Sequence, residues 1–421
     1  MASSIDVYWS DQRVGQLSLA DGELAFHYDV NWLIQPSPIA LSQSLPLSTE
    51  PFDDRQCRPF FSGLLPEGNL RRLIAKQYHV SSKNDFALLD AIGGECAGAI
   101  TFVPANQSAT HSEPESIEWL DDQQLIALLD ELPRRPMLAG REGIRLSLAG
   151  AQDKLPVMFD GLRIGLPKGS QPSTHILKPA ISGVDDSVLN EGYSMALAQA
   201  MGLQTAQTAV FPVGDQRVLV VTRYDRHIDM NAKLVRIHQE DFCQALGVVP
   251  EMKYQNEGGP DVKACFDLLR KATRPSGLQT PRLLDAIVFN ALIGNHDAHA
   301  KNFSLLYEAP VPVLAPIYDV LSTAVYENLT PKMAMKLGGK YKYSEVHSRH
   351  WDQFALDAIL SKPQTKKRVQ QFALNLPNVA RQVQTLPPFA GERIVDRIIA
   401  LIDQRSKLTL ERLGVDIEET E

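Results

Sequence analysis

The sequence predicts an α+β chain of two lobes, the first rich in strands and the second helical. Three observations predict it. Alternating apolar residues fill 5–35 and return in short runs between 141 and 224, helical spacing dominates beyond Tyr224, and a strand-like link, V-V-T-R-Y, joins the two regimes. A length of 421 residues exceeds one small core and fits two or three domains.

The first elements are strands: V-Y-W and V-G-Q-L, separated by the turn-like D-Q-R. From Phe60 to about Ala91 the spacing turns helical, and G-G-E-C-A-G-A-I-T-F-V reads as a glycine-rich turn into a strand. Residues 105–117 are polar and turn-rich, a linker ahead of a short helix near 119–132. Short strands are predicted around Ser147, Pro156–Met158, Ile164–Leu166 and His175–Leu177. A helix over 187–201 comes next, then strands A-V-F-P-V and R-V-L-V-V-T-R-Y. Further helices are predicted near 239–246, 261–273, 281–293, 351–360, 365–375 and 390–412, with Thr280 capping the third ahead of Pro281. The boundaries are 1–110 for an N-terminal β-rich subdomain, 111–140 for linker and helix, 141–225 for the rest of the first lobe and 226–421 for the helical lobe. Ligands favour the clefts of such two-lobe plans.

Bulk properties exclude several classes. A composition 44% hydrophobic and 22% charged is that of a globular protein, not a disordered or fibrous one. A net charge of −8 argues against a general polyanion binder, although a local basic patch can still meet nucleic acid. Cys57, Cys96, Cys243 and Cys265 form no C-x-x-C pair, so they read as buried free thiols. No basic-then-apolar leader opens the chain and no uncharged apolar run reaches eighteen residues, so a soluble, cytoplasmic protein without a membrane partner is expected.

The chemistry concentrates in N-H-D-A-H-A-K-N-F-S, residues 295–304. Asp297 and Asn302 can be presented by one short loop, and Asp319 comes later in the apolar run A-P-I-Y-D-V-L-S. A carboxylate to orient a hydroxyl, plus an amide oxygen and a second carboxylate to hold magnesium, are the parts of ATP phosphoryl transfer. The bland alternatives are turn residues for Asp297 and Asn302, and an N-cap for Asp319. Lys178, ending T-H-I-L-K-P, can reach nucleotide phosphates with Glu191 as its partner, or can snorkel at the surface. Glu191 shares the inward helical face of Met195 and Ala198. The small-residue segment R-L-S-L-A-G-A-Q-D-K, 145–154, can cradle phosphate with backbone N–H groups or be a plain β-turn. His296 and His299 lack a third ligand at zinc-site spacing, and locking the backbone suits His296 better. Lys332, Lys336, Lys340, Lys342 and Arg349 form a basic run that is either a solvated loop or a contact for DNA phosphates.

Together these segments resemble the HipA family of serine/threonine kinases, the toxin half of HipA–HipB toxin–antitoxin modules. The resemblance runs nearly the whole length, through V-G-Q-L, L-S-Q-S-L-P-L, F-F-S-G-L-L-P-E-G and A-I-G-G-E-C-A-G-A-I, then S-L-A-G-A-Q-D-K, T-H-I-L-K-P, N-E-G-Y, R-Y-D-R, H-Q-E-D-F-C-Q-A-L-G, G-N-H-D-A-H-A-K-N-F-S and I-Y-D-V-L-S. It implies a protein-kinase-like fold with an extra N-terminal subdomain. Asp297 would be the catalytic base, and Asn302 and Asp319 the Mg2+ ligands. ATP would meet Ala149, Gly150, Ala151, Gln152, Asp153, Lys154, Lys178, His299 and Lys301, with Thr222, Arg223 and Tyr224 supplying hinge backbone to adenine. Ser147 matches the serine that such kinases phosphorylate on themselves. The resemblance also implies an aminoacyl-tRNA synthetase substrate, a HipB-like helix-turn-helix antitoxin and co-repression at operator DNA. N-H-D replaces the H-R-D of eukaryotic kinases and Y-D-V their D-F-G, and Thr222 stands where some relatives carry Glu. A small-molecule phosphotransferase shares the D-x-x-x-x-N loop, and a DNA-bound corepressor with dispensable catalysis would use the basic run.

Overall fold

A computed structural model describes residues 3–105 and 116–415, and most of the predicted linker at 105–117 lies outside them. The mixture of antiparallel sheets and helices is the α+β class predicted, with its helices concentrated toward the C-terminus. Two compact units divide the chain: 1–179 with 211–251 and 305–312, and 180–210 with 252–304 and 313–421.

The first unit begins with an antiparallel sheet of four strands in the order β3-β2-β1-β4, from β1 (Ser3–Trp9), β2 (Gln12–Ala20), β3 (Glu23–Tyr28) and β4 (Ile100–Pro104). Between β3 and β4 the chain forms α1 (Val30–Leu33), α2 (Asp54–Gly63), α3 (Gly68–Gln77) and α4 (Asp85–Ile92). Local chemistry starts these helices. Asp53 and Gln56 close a capping box on α2, and the Asn84 side chain accepts from Ala87 N at the start of α4. Phe26, Phe60, Phe61 and Phe102 pack ring on ring into the sheet, at centroid spacings of 5.2 to 6.0 Å. Gly15 is obligatory there, because a Cβ would stand 2.3 Å from His27 O.

A six-stranded sheet follows in the order β5-β7-β6-β8-β10-β9. Its members are β5 (Ser116–Trp119), β6 (Leu155–Phe159), β7 (Ile164–Lys168), β8 (His175–Lys178), β9 (Thr208–Val213) and β10 (Gln216–Thr222). Helix α5 (Asp122–Glu131) lays Leu125, Leu128 and Leu129 on the core of Leu155, Val157, Leu166 and Leu177. No strand forms at Ser147. Its neighbour Leu146 makes only an isolated bridge to Glu95, because the 145–150 backbone bonds to distant loops rather than to a neighbouring strand. The predicted helix near 239–246 is shorter: β11 (Arg226–Ile228), β12 (Leu234–Arg236) and β13 (His238–Asp241) precede a single turn, α7 (Phe242–Ala245), started by an Asp241–Gln244 capping box.

Two buried charge clusters tie this unit together. Glu95 accepts from Arg226 Nη2 at 2.8 Å, Arg223 Nη1 at 3.0 Å and Arg236 Nη2 at 2.6 Å, while Asp225 takes the other edge of Arg223 and Gly98 N. Glu240 is also buried. It accepts from Gln43 N at 3.0 Å, from Tyr307 Oη at 2.5 Å and from Ser42 Oγ. Burial pushes its carboxyl from the ordinary 4.5 up to about 7. A raised carboxyl favours the fold while protonated, so its contribution is complete below pH 4.5 and is lost as pH rises through 7. Glu240→Gln is expected to flatten that slope, as read by urea unfolding at about pH 5 and about pH 8.

The second unit is helical: α6 (Ser187–Ala200), α8 (Val262–Ala272), α9 (Ser276–Ile293), α10 (Ser348–Asp357), α11 (Lys362–Gln384) and α12 (Arg393–Leu413). Helix α6, which the sequence groups with the strands, belongs here. Its Tyr193 hydroxyl donates to Ala380 O, and Asn190 exchanges hydrogen bonds with Ser322 backbone. Helix α9 starts earlier than predicted, with Pro275 at its N-cap. Thr280 is a buried interior residue and Pro281 falls in the second turn, where its missing N–H forfeits one bond near the helix start. None of the helices among the described residues is long and apolar enough to cross a membrane.

Candidate active site

Gly294 ends α9 in the left-handed conformation at φ +80, turning the chain out of the core into the 295–303 loop. Every turn of that loop is pinned. Asn295 N and Nδ2 both bond to Asn290, His296 N bonds to Thr323 Oγ1 at 2.8 Å, and Asp297 N bonds to Asn295 Oδ1 at 3.1 Å. His296 locks the backbone, as predicted. Its Nδ1 meets Thr330 O at 3.0 Å and its Nε2 meets Arg405 Nη2 at 2.9 Å, and burial with the Arg405 charge pushes the imidazole down to about 4. It is therefore neutral at pH 7, with Nε2 the acceptor.

The loop brings Asp297 and Asn302 together. The Asn302 side-chain nitrogen donates to Asp297 O at 3.0 Å, and His299 N donates to the same carbonyl at 2.8 Å. That bond fixes the amide, so the oxygen of Asn302 is the atom left to face a ligand. The Asp297 side chain is 46% exposed, whereas His299, Lys301 and Asn302 are buried. This contrast suits a base that must reach an incoming hydroxyl from a rigid mount. The Asn302 side chain thus caps the loop's own backbone at Asp297 O, while the Asp297 carboxylate takes no part in these loop bonds.

Asp319 lies in the same unit, half-buried, and its backbone takes φ +57. Left-handed backbone is uncommon for a residue with a side chain, and aspartate is among the types that adopt it most readily. It caps no helix, because the next 3-10 turn, Thr323–Val325, starts from Ser322. Nearby, the Tyr318 hydroxyl bonds to Ser304 Oγ at 2.7 Å and to Lys301 O at 3.0 Å, joining this segment to the 295–303 loop. An amide oxygen and a carboxylate are hard donors that fit magnesium, which needs only one or two protein oxygens beside phosphates and water. No group of three His, Cys, Asp or Glu placed to hold a metal occurs among the described residues. Glu191 is 3% exposed on the inward face of α6 with Met195 and Ala198, as its spacing predicts.

The other predicted residues lie in the first unit. Lys178 ends β8 and is buried, paired in register with Leu219 of β10. Thr222 ends β10. The Arg223 N–H is already committed to Thr174 O at 3.0 Å and its guanidinium to Glu95 and Asp225, so Arg223 holds the strand end in place. The Tyr224 hydroxyl bonds to Gln239. Segment 145–154 is a docked loop: Ser147 Oγ donates to Leu64 O at 2.9 Å, Ser147 N to Glu95 O, and Glu67 N to Gly150 O. Gly150 sits at φ +110, and a Cβ there would lie 2.7 Å from Lys154 Nζ, which itself donates to Ala149 O. Ala151 and Gln152 complete the bend, and burial raises the Asp153 carboxyl.

The basic run folds on itself in the second unit. Met333, Met335, Leu337 and Tyr343 are buried, Lys336 stacks 4.9 Å over Tyr341 and Lys340 pairs with Glu345 at 3.4 Å. Two residues escape a reading of the sequence. Tyr254 donates its hydroxyl to Asp297 Oδ1 at 2.6 Å, and Glu95 anchors three guanidiniums. No local spacing signals the first. The second is visible only as a lone Glu in the small-residue run G-G-E-C-A-G.

Comparison with known proteins bears on the whole chain. The HipA N-terminal domain matches residues 5–103 and the HipA-like C-terminal domain residues 146–380. The Sinorhizobium fredii protein Y4mE is 45% identical over 370 residues, 87% of this chain and 88% of that protein. The serine/threonine-protein kinase toxin HipA of Shewanella oneidensis is 30% identical over 401 residues, 91% of this chain and 90% of that one. A solved complex of Shewanella oneidensis MR-1 HipA, HipB and operator DNA contains a chain that superposes with TM-score 0.85 at 26% identity, covering 98% of this chain and 100% of that chain. With two family domains in order and a relative alike end to end, the chain belongs to the HipA family of kinases.

Proposed function

We propose that this chain is a Mg-ATP-dependent serine/threonine protein kinase that acts as the toxin of a HipA–HipB-type module. The observation carrying the reading is the loop itself: a half-exposed Asp297 carboxylate on a residue whose backbone carbonyl is clamped by the Asn302 amide at 3.0 Å. Asp297 orients the acceptor hydroxyl and receives its proton as the oxygen attacks the γ-phosphorus and ADP departs. Asn302 and Asp319 would hold magnesium, which neutralises charge on the phosphates when bound. Lys178 and the 149–154 loop serve the nucleotide phosphates, with His299 and Lys301 beside the base. Thr222 to Tyr224 meet adenine through backbone, the Arg223 N–H excepted, and Glu191 is a supporting residue on the inward face of α6.

The partner reading is drawn from the relative solved with HipB and operator DNA. A HipB-like helix-turn-helix antitoxin and co-repression of the operon come by analogy. An aminoacyl-tRNA synthetase is the proposed substrate on family resemblance alone. Comparing phosphoproteomes of cells expressing the wild type or Asp297→Asn would name it. A synthetase serine phosphorylated only with the wild type is expected, and identical phosphoproteomes would refute the kinase reading.

Ser147 is the proposed self-phosphorylation site. Its hydroxyl is fully buried on Leu64 O, so the loop must leave this docking before the serine can accept phosphate, and a phosphate dianion has no room to return. Ser147→Ala is expected to abolish self-labelling while costing about 1 kcal/mol of stability for the lost hydrogen bond. Phosphopeptide mapping and thermal melting check the two halves.

A further inference from the structure

The phenol of Tyr254 stands 2.6 Å from Asp297 Oδ1, within the distance at which a general base meets the proton it will take. Its place is built. The ring meets the His299 imidazole edge-on at 5.2 Å, and Lys253 Nζ lies 5.5 Å over it. The Tyr254 carbonyl accepts from Glu257 N and Gly259 N, closing a tight reversal. Only glycine fits at 259, since a Cβ would lie 2.1 Å from Met252 O. The same turn is fastened to the catalytic loop through one extended segment: Gln255 N donates to Ala334 O, Lys336 N to Gln255 Oε1, and Ala334 N to His296 O. All these residues belong to the second unit, so the contact is internal to one compact body.

We infer that Tyr254 is a positioning residue that occupies the acceptor side of Asp297 and denies its proton-accepting oxygen to water until a substrate hydroxyl displaces the phenol. The inference rests on the reading of Asp297 as the base. Without a protein acceptor the competing reaction is hydrolysis: a water oxygen bonds to the γ-phosphorus, the bond to the β,γ-bridging oxygen breaks, ADP leaves, and the water proton passes to the Asp297 carboxylate. The phenol meets this oxygen as a donor, so it fills the oxygen without handing it a proton to keep. A substrate serine delivered by a docked protein can outcompete it, whereas a diffusing water cannot.

The test is phosphate release from Mg-ATP by the purified full chain with no protein acceptor added, for the wild type, Tyr254→Phe and Tyr254→Leu. Removing a hydrogen bond to a charged oxygen is expected to raise hydrolysis about tenfold in Tyr254→Phe. Tyr254→Leu, which also loses the His299 contact, should be raised as well. A merely structural tyrosine would give unchanged or lower release. Adding Asp297→Asn to Tyr254→Phe should abolish the excess. Unchanged or lower hydrolysis in both single variants, or phosphate recovered on Tyr254 itself, overturns the inference while leaving Asp297 as base. Full transfer by Asp297→Asn alone would instead remove the reading on which it rests.

Discussion

Replacing Asp297 with asparagine is expected to lower phosphate transfer by about 10²–10⁴-fold, the range a positioned general base contributes. The substitution is isosteric. The loop's backbone bonds, from Asp297 N to Asn295 and from Asn302 and His299 to Asp297 O, do not involve the carboxylate, and Tyr254 can still donate to an amide oxygen. The melting temperature should therefore stay near that of the wild type, and the KM for ATP should change little. Initial-rate kinetics with labelled ATP, set beside a melting curve, separate lost chemistry from lost folding. A fall in kcat matched by an equal fall in melting temperature would contradict the assignment.

Glu95→Ala is expected to cost about 3–5 kcal/mol, as removing one partner from a buried ion network does. Arg223, Arg226 and Arg236 all converge on this carboxylate, and Ser173 donates to it through both N and Oγ. Asp225 still faces Arg223 and Arg226 in the variant, but Arg236 loses its carboxylate and is left with Ser170 O. Acid should reproduce part of the effect. Burial alone would raise the Glu95 and Asp225 carboxyls, but the surrounding guanidiniums override it, holding Glu95 far below its ordinary value and Asp225 at about 2. Depressed carboxyls contribute stability that is present above their unfolded values near ~4 and is lost as pH falls through the folded ones. Urea unfolding of wild type and Glu95→Ala at neutral and acidic pH checks this. The gap between them should narrow in acid.

How legible each feature is in the sequence depends on how local it is. The 295–303 loop is readable because Asp297, Asn302 and the stop at Gly294 lie within nine residues, and one pinned turn carries both residues. Glu191 is readable because the helical period alone sets its face with Met195 and Ala198. The start of α9 is not, since Thr280–Pro281 imitates a helix entrance while tertiary packing extends the helix back to Ser276. Ser147 reads wrongly as strand because its backbone partner, Glu95, lies in a distant loop rather than on a neighbouring strand. Distance also hides the Glu95 cluster, whose arginines are 128 to 141 positions distant, and Tyr254, which reaches Asp297 across 43. The left-handed backbone of Asp319 is not readable either, since an apolar run such as I-Y-D-V gives no sign of it.

The most direct test is to incubate the purified chain with γ-labelled ATP and magnesium and to determine the chemical nature of the bond that carries the label. Label on serine or threonine oxygen is expected, stable to acid, dependent on magnesium and lost in Asp297→Asn. Label that is acid-labile, as on an acyl or imidazole group, or that persists undiminished in Asp297→Asn, would contradict the kinase reading.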